Sequence, residues 1–361
     1  MLKLKKRGKG SPNPLLENGE IIAISIVAAF LVSIVFVLAL GENPFAAYSS
    51  MLQALGKRYG LAETVAKATP LIIISLGLTL ALRGGLSNLG GDGQFYMGAI
   101  ASVCVGLYLP AGWPKLLIWI LAFAIGAAAG GLWGALAGYL RARFNTSEVI
   151  ITIMLNYVAL YIVGFLVHGP LQAPGGIPQT RALPVGLQFP KLLEGTRAHT
   201  GILVGLLAAL LVWFIFRRTT LGYRIQAVGE APKAAQYGGI HTKWYMVVIM
   251  GISGAFAGIA GMVEVYGVHY RVLEGITSSF GFTALLIALL AKLNPLGAVL
   301  GSLFISALTV GANSMQIDMN VPTSIVNVVQ SLIIFFMLVM PKIKTDFMER
   351  IKNAGRIGGQ P

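Results

Sequence analysis

Few side chains in this sequence could do chemistry, and their spacing narrows the choice further. The four histidines, His168, His199, His241 and His269, never recur at the i, i+4 spacing of a helical zinc site. The single cysteine, Cys104, permits neither an intrachain disulfide nor a cysteine-based metal site. No G-x-x-x-x-G-K-[ST] stretch is present, so the chain has no phosphate cradle of the P-loop kind. Neither a Ser–His nor an Asp–Asp pair suited to an intramembrane enzyme is found, nor a series of Asp, Glu and His spaced for proton relay.

What remains is a small set of polar groups within or beside apolar runs: Lys67, Glu148, Asn156, Tyr157, Glu264, Asn313, Asn327 and Gln330. Burying such groups costs free energy, so each should face a partner or a water-filled path. Glu148 follows Asn145-Thr146-Ser147 and opens an apolar run, where a carboxylate favours the positive end of a helix. A helix-start role for it therefore competes with substrate contact. Asn156 lies about two turns further on and is a candidate for the path. Glu264 sits near the end of a run, where snorkelling would account for it.

Two glycine-rich breaks carry a stronger signal. Arg83-Gly84-Gly85-Leu86-Ser87-Asn88-Leu89-Gly90-Gly91-Asp92-Gly93-Gln94 joins two apolar runs and is too rich in glycine for a stable helix. Glu274-Gly275-Ile276-Thr277-Ser278-Ser279-Phe280-Gly281-Phe282 does the same later in the chain. Backbone that leaves helical form at membrane depth is tolerated where it lines a cavity, and in transporters such breaks mark binding sites. A plain loop is the competing reading of the first break. Asn88, Asp92, Gln94 and Phe95 join Glu148 and Asn156 as candidates for a substrate path, as polar and aromatic groups at or beside such a break.

The elements that must position these residues are membrane spans. Of 361 residues, 56% are hydrophobic and 11% charged, and the mean hydropathy is +0.77. Soluble domains carry about a quarter charged residues, so a soluble enzyme, a disordered chain and a disulfide scaffold are excluded. Ten apolar runs approach the ~20 residues needed to cross a bilayer: 20–40, 63–82, 93–110, 115–140, 147–168, 201–216, 244–266, 280–292, 296–313 and 322–340. Asn294 and Pro295 separate the eighth from the ninth, which leaves a nine-span or re-entrant variant open there. The runs are far too long for barrel strands, so the expected class is an all-α polytopic membrane protein. The first break follows a run crossing in one sense and the second a run crossing in the other. Spans two to five and seven to ten thus suggest an inverted repeat, with the path between the halves.

Charge sets the expected direction. With the N-terminus inside, 19 of the 27 basic residues and 7 of the 13 acids fall on the cytoplasmic side, giving +12 inside and +2 outside of the total +14. The excess lies beside span ends, where it meets anionic lipid headgroups, and nucleic-acid binding is not expected. Residues 1–19 read as a basic cytoplasmic segment, 20–340 as the transmembrane domain and 341–361 as a basic cytoplasmic tail. A cleaved signal peptide is disfavoured because the apolar part of 21–40 is too long and Ala39-Leu40-Gly41 is a poor cleavage site.

Gly126, Gly130, Gly134 and Gly138 form a smooth stripe in the fourth run, suited to close helix packing within the chain or, alternatively, to a dimer contact. Gly254 with Gly258, and Gly297 with Gly301, repeat the pattern. The 217–243 loop places Pro232 before alanines and Gly238-Gly239 after them, which predicts a short helix needing a packing partner. The 169–200 loop, with five prolines, reads as a surface segment suited either to docking an external partner or to a simple connection.

Three stretches carry a family resemblance: Leu82–Gln94, Ser147–Tyr157 and Arg224–Ile240. Over nearly its whole length the chain resembles the permease subunits of bacterial ABC importers of the branched-chain amino acid, ribose and nucleoside superfamily. Within that superfamily the likeness is to nucleoside (guanosine-type) permeases, with Asp92 where the family often has Glu. The resemblance implies a cytoplasmic coupling helix at about 229–240, with Gly229, Glu230, Ala231, Pro232, Ala234, Ala235, Gly238 and Gly239 meeting a separate ATPase subunit. It further implies a second permease chain, usually a different one, and an extracytoplasmic substrate-binding lipoprotein. ATP and magnesium would be bound by the ATPase, with no cofactor in this chain. The expected location is the bacterial cell membrane with both termini cytoplasmic. An ABC permease for a simple sugar such as ribose, or a stand-alone secondary transporter, is the alternative reading.

Overall fold

A computed structural model describes residues 14–340 apart from 111, 320, 326, 334, 337 and 338. The basic stretch 1–13 and the tail 341–361 lie outside the described residues, as does part of the tenth apolar run. Regular structure among the described residues is helical, and β pairing is confined to isolated bridges. The helices are α1 (Pro14–Ala39), α2 (Pro44–Gly56), α3 (Arg58–Arg83), α4 (Gly91–Tyr108), α5 (Lys115–Phe144), α6 (Glu148–His168), α7 (Gly201–Arg218), α8 (Thr220–Glu230), α9 (Pro232–Tyr237), α10 (Thr242–Glu264), α11 (Phe280–Leu290) and α12 (Pro295–Met319). A π-helical turn, Val265–His269, extends α10.

Two compact units are distinguished. One is Leu55–Val310; the other draws on the chain up to Ala54 and from Gly311. In the latter, α1 and α2 are bent by 117°. Their corner is held by a Ser33–Tyr48 hydroxyl contact and by the Tyr48 ring against Phe30, and Met51 packs against Gly311.

Among the described residues, six helices are long and apolar enough to cross a bilayer, or seven if the bent pair counts as one span. This differs from the ten apolar runs, for physical reasons. The run at 93–110 folds as α4, but Asp92, Gln94 and Ser102 lower its apolarity. The run at 280–292 folds as α11, whose 11 residues reach only about 16 Å, half of a hydrocarbon core.

In the larger unit, α3 is mostly apolar and almost wholly buried from Ala62 to Ala81, as a central helix must be. Against it packs α10, and α10 and α5 approach each other so closely that only glycine fits. A Cβ at Gly258 would lie 2.2 Å from the Gly126 carbonyl oxygen, and one at Gly254 would lie 2.3 Å from that of Gly130. Gly134 and Gly138 meet the Met250 and Met246 carbonyls in the same way. The opposite edge of Gly258 touches Gly98 of α4, so three helices share one glycine-lined seam. Arg83 closes the end of α3, donating from Nε to the Leu293 carbonyl at 3.0 Å and lying 4.1 Å over the Phe216 ring.

The 169–200 segment is packed, which its prolines did not announce. Thr180 and Leu183 donate amides to Val272 and Tyr270, Phe189 donates to Tyr266, and Trp119 Nε1 donates to Leu187. Arg197 pairs with the buried Glu63 of α3 at 3.2 Å. His199 is fully buried, stacked on Phe189 and wedged between Gly201 and Gly267. Its Nδ1 accepts the Gly201 amide at 3.1 Å, so Nε2 carries the proton and has no partner. The segment thus ties the start of α7 to the strand-like stretch that leads into the second glycine-rich break.

Two outcomes follow from this packing. Gly258→Val should destabilise the folded protein by at least the ~1–3 kcal/mol typical of overpacking, whereas Gly186→Ala, with open space around its Cα, should be near neutral. Thermal unfolding in lipid nanodiscs checks both. Burial pushes the His199 pKa down to about 4, while an unfolded histidine titrates near 6.5. The unfolded segment therefore binds a proton first, and stability is lost as pH falls from about 6.5 towards 4. Protection of the 180–200 amides, measured relative to their intrinsic exchange rate at each pH, should fall over that window, and His199→Phe, which keeps the stacking, should remove the dependence.

Candidate functional site

The two glycine-rich breaks come together, and they do so at helix starts. α3 ends at Gly84, and Gly85 turns the chain with φ +73°, a conformation that costs glycine nothing. The Gly84, Gly85 and Leu86 amides still return to carbonyls of the last turn of α3, but residues 87–89 run outside any helix, leaving backbone groups that must be satisfied inside the protein.

Side chains do this. Asn88 Oδ1 accepts the Gly90 amide at 2.9 Å, and its Nδ2 donates to Gln94 Oε1 and Ser253 Oγ, both at 2.9 Å. Gln94 Nε2 returns a bond to Asn88 Oδ1 at 3.1 Å. Thr152 of α6 accepts the Leu89 amide at 3.2 Å. Asn156, one turn further, accepts the Gly93 amide and donates to the Leu89 carbonyl, each at 2.8 Å.

The second break is strained. Tyr270, Ser278 and Ser279 all have positive φ, which costs residues other than glycine about 1 kcal/mol or more each. The first turn of α4 holds it. Asp92 Oδ1 accepts the Gly281 amide at 2.9 Å at the start of α11, and Thr277 hydrogen-bonds the same carboxylate. Tyr96, one turn along α4, accepts the Gly275 amide at 2.9 Å. Gly91 and Gly281 make this approach possible, since a Cβ on Gly281 would lie 2.7 Å from the Asp92 nitrogen.

Between these elements lies a cavity of about 360 Å³, lined by Asp92, Asn156, Tyr157, Thr277, Ser278 and Ser279 with Tyr96 and Phe282. Its α6 wall is a helical face, with Ile153, Asn156, Tyr157 and Leu160 at i, i+3, i+4, i+7. The volume lies at the lower end of small-molecule sites. The lining mixes a carboxylate, an amide and hydroxyls with aromatic rings, which suits a neutral polar ligand with a flat face.

Of the residues that the sequence marked for a path, Asp92 and Asn156 line this cavity. Asn88 and Gln94, each 1% exposed, and Phe95, fully buried, lie behind it and hold the breaks in place. Glu148 pairs with Arg141 at 3.2 Å where α5 turns into α6. Tyr96 and the Thr277-Ser278-Ser279 run were not singled out. The run lay inside a recognised break, and its hydroxyls were the available signal.

A second surface forms at α8 and α9. Thr219 caps α8 by accepting the Gly222 amide at 3.2 Å, Pro232 opens α9, and Gly238 closes it. They frame a groove of about 710 Å³ that Glu230, Ala231, Ala234, Ala235, Gly238 and Gly239 help to line. Tyr237 is 94% exposed beside it. Gly229 instead packs on the first break, where a Cβ would lie 2.1 Å from the Arg83 carbonyl oxygen and 2.8 Å from the Gly85 nitrogen. Among the described residues, no group of His, Cys, Asp or Glu could hold a metal ion.

Comparison with known proteins places this architecture. Residues 60–338 match the family described as branched-chain amino acid transport system, permease component. The chain is 35% identical to the guanosine ABC transporter permease protein NupP of Bacillus subtilis, over 87% of this chain and 91% of that protein. It is also 35% identical to the nucleoside ABC transporter permease protein NupB of Lactococcus lactis, over 88% and 89%. With the glucose ABC transporter permease protein TsgB13 of Haloferax volcanii it shares 31% identity, over 91% and 88%. With most of its length matched, an all-helical membrane-spanning body and broken helices around a cavity, the chain belongs to the family of branched-chain amino acid transport system permease components.

Proposed function

We propose that this chain is a permease subunit of an ATP-driven importer of nucleosides, working in a bacterial cell membrane beside a second, different permease chain. The observation that carries the reading is the 35% identity to guanosine and nucleoside permeases over nearly nine-tenths of the chain. The cavity at the two breaks agrees with it chemically. A sugar meets the carboxylate and hydroxyls, and a base meets the Tyr157 ring. A glucose permease is also a relative, and a simple sugar would use the same hydroxyls without the aromatic wall.

The motor is a separate ATPase, which binds ATP and magnesium and docks at the α8–α9 groove. That groove offers what a docking site needs: an exposed aromatic in Tyr237, a pocket floored by small residues, and a helix too short to hold its shape alone. Both termini then lie in the cytoplasm, and an external lipoprotein delivers substrate from the other side.

The mechanism uses a short physical route. Gly229, at the end of α8, rests on Gly84 and Gly85 at the end of α3. From there the chain runs through the Asn88–Gln94 network to Asp92 at the cavity. A push on α9 by the closing ATPases moves α8, and the glycine contact passes the movement to the break. The break can shift without losing backbone bonds because side chains satisfy it.

Two kinds of variant test this. Glu230→Arg and Ala234→Trp alter exposed groove residues and should lower nucleoside uptake about 30-fold, as loss of an interface hot spot does, with membrane insertion unchanged. Gly229→Ala should leave the ATPase bound and hydrolysing while uptake falls. Uptake, pull-down of the ATPase and ATP turnover separate the two classes. Normal uptake in Glu230→Arg and Ala234→Trp would refute docking at this groove.

A further inference from the structure

Asp92 limits what the cavity can hold. An ionised carboxylate offers about four lone-pair directions and no proton of its own. The Gly281 amide and the Thr277 hydroxyl take two of them. Two remain for a ligand in the cavity that Asp92 lines. They call for donors, and two O–H groups on adjacent carbons match the two oxygens of one carboxylate as a charge-assisted pair.

The same carboxylate decides which ligands stay out. Helix starts attract anions because their amides are unpaired and their dipoles point positive. Here Asp92 lies in the first turn of α4 and accepts the amide at the start of α11. The two positive ends are therefore already matched by an internal negative charge. A phosphate or carboxylate on a ligand would meet Asp92 with no free helix start to offset the repulsion. Ser278 and Ser279 add exposed hydroxyls, and Tyr157, 54% exposed, adds a ring face.

We propose that Asp92 accepts the 2′- and 3′-hydroxyls of a ribofuranose whose base lies on Tyr157, and that it thereby admits ribonucleosides and rejects nucleotides. The proposal deepens, and rests on, the nucleoside reading of this cavity. It assigns the selection of sugar and charge to this chain rather than to the delivering lipoprotein alone.

A thiol placed in the cavity reads occupancy directly. The assembled transporter is prepared with Ser278→Cys in a Cys104→Ser background, and its alkylation by N-ethylmaleimide is followed in permeabilised membranes. Inosine should slow alkylation. 2′,3′-Dideoxyinosine should need at least about tenfold more ligand for equal protection, the value of a hydrogen bond to a charged group. Inosine monophosphate should not protect where inosine does. Asp92→Asn, which keeps an acceptor for the Gly281 amide, should bring inosine and dideoxyinosine to near parity and let the monophosphate protect. Equal protection by inosine and dideoxyinosine with Asp92 intact would overturn the proposal, as would protection by the monophosphate or none by inosine. That ligand comparison decides the matter even if the Asp92→Asn protein fails to insert. Inosine uptake by the unaltered transporter tests the nucleoside reading separately, so a failure of one is not mistaken for a failure of the other.

Discussion

A backbone amide or carbonyl with no partner cannot persist inside a membrane, and this fold depends on how it answers that constraint at two places. The chain leaves helical form between α3 and α4 and again between α10 and α11. The freed backbone groups are taken up by side chains: Asn88, Thr152 and Asn156 at the first break, and Asp92 and Tyr96 at the second. All of these but the Asn88–Gly90 bond join a break to a neighbouring helix. Satisfying the breaks and assembling the cavity are therefore one event. The Asn88–Gln94 pair is worth more than its surface chemistry suggests, because an unmet buried group costs about 1–3 kcal/mol where a met one is nearly neutral.

Glycine provides the closeness that these bonds require. The seam of α4, α5 and α10 brings Gly98, Gly130 and Gly258 to backbone contact, which puts Ser253 of α10 within reach of Asn88. Gly91 and Gly281 let the starts of α4 and α11 touch, and Gly229 lets α8 rest on the first break. In lipid there is no hydrophobic drive between helices, so such contacts rely on dispersion and on the hydrogen bonds they permit. The same closeness gives the α8–α9 surface a direct bearing on the cavity. The segment proposed to receive force and the break that leads to the cavity share one glycine-to-glycine contact, with no long chain of side chains between them.

Much of this was legible in the sequence. The apolar runs gave the helical class, and the four-residue glycine spacing marked the face of α5 that lies on α10. The two breaks stood out by composition, and Pro232 with Gly238 bracketed α9 closely. Other parts were not legible. Run length alone could not tell a full span from the short α11, because a buried half-helix is as apolar as a crossing one. Asn88 and Asn156 are the same residue type in similar surroundings, yet one is sealed behind the cavity and the other lines it. Only the packing of α4 on α6 separates them. The 169–200 segment looked like a surface loop because its prolines and glycines dominate the composition. What fixes it is the His199 ring against Gly267 and the Leu187 carbonyl bonded to Trp119, contacts whose partners lie far away in sequence.

The central claim is that the cavity at the two breaks is half of a passage worked by a separate ATPase. The most direct test is transport in liposomes of defined composition. The chain, its partner permease, the ATPase and the binding protein are reconstituted together, and each is then left out in turn. Labelled nucleoside should accumulate only when all four are present with ATP and magnesium, and should stop when this chain is omitted. Nucleoside uptake by this chain alone, driven by an ion gradient without ATP, would contradict the account.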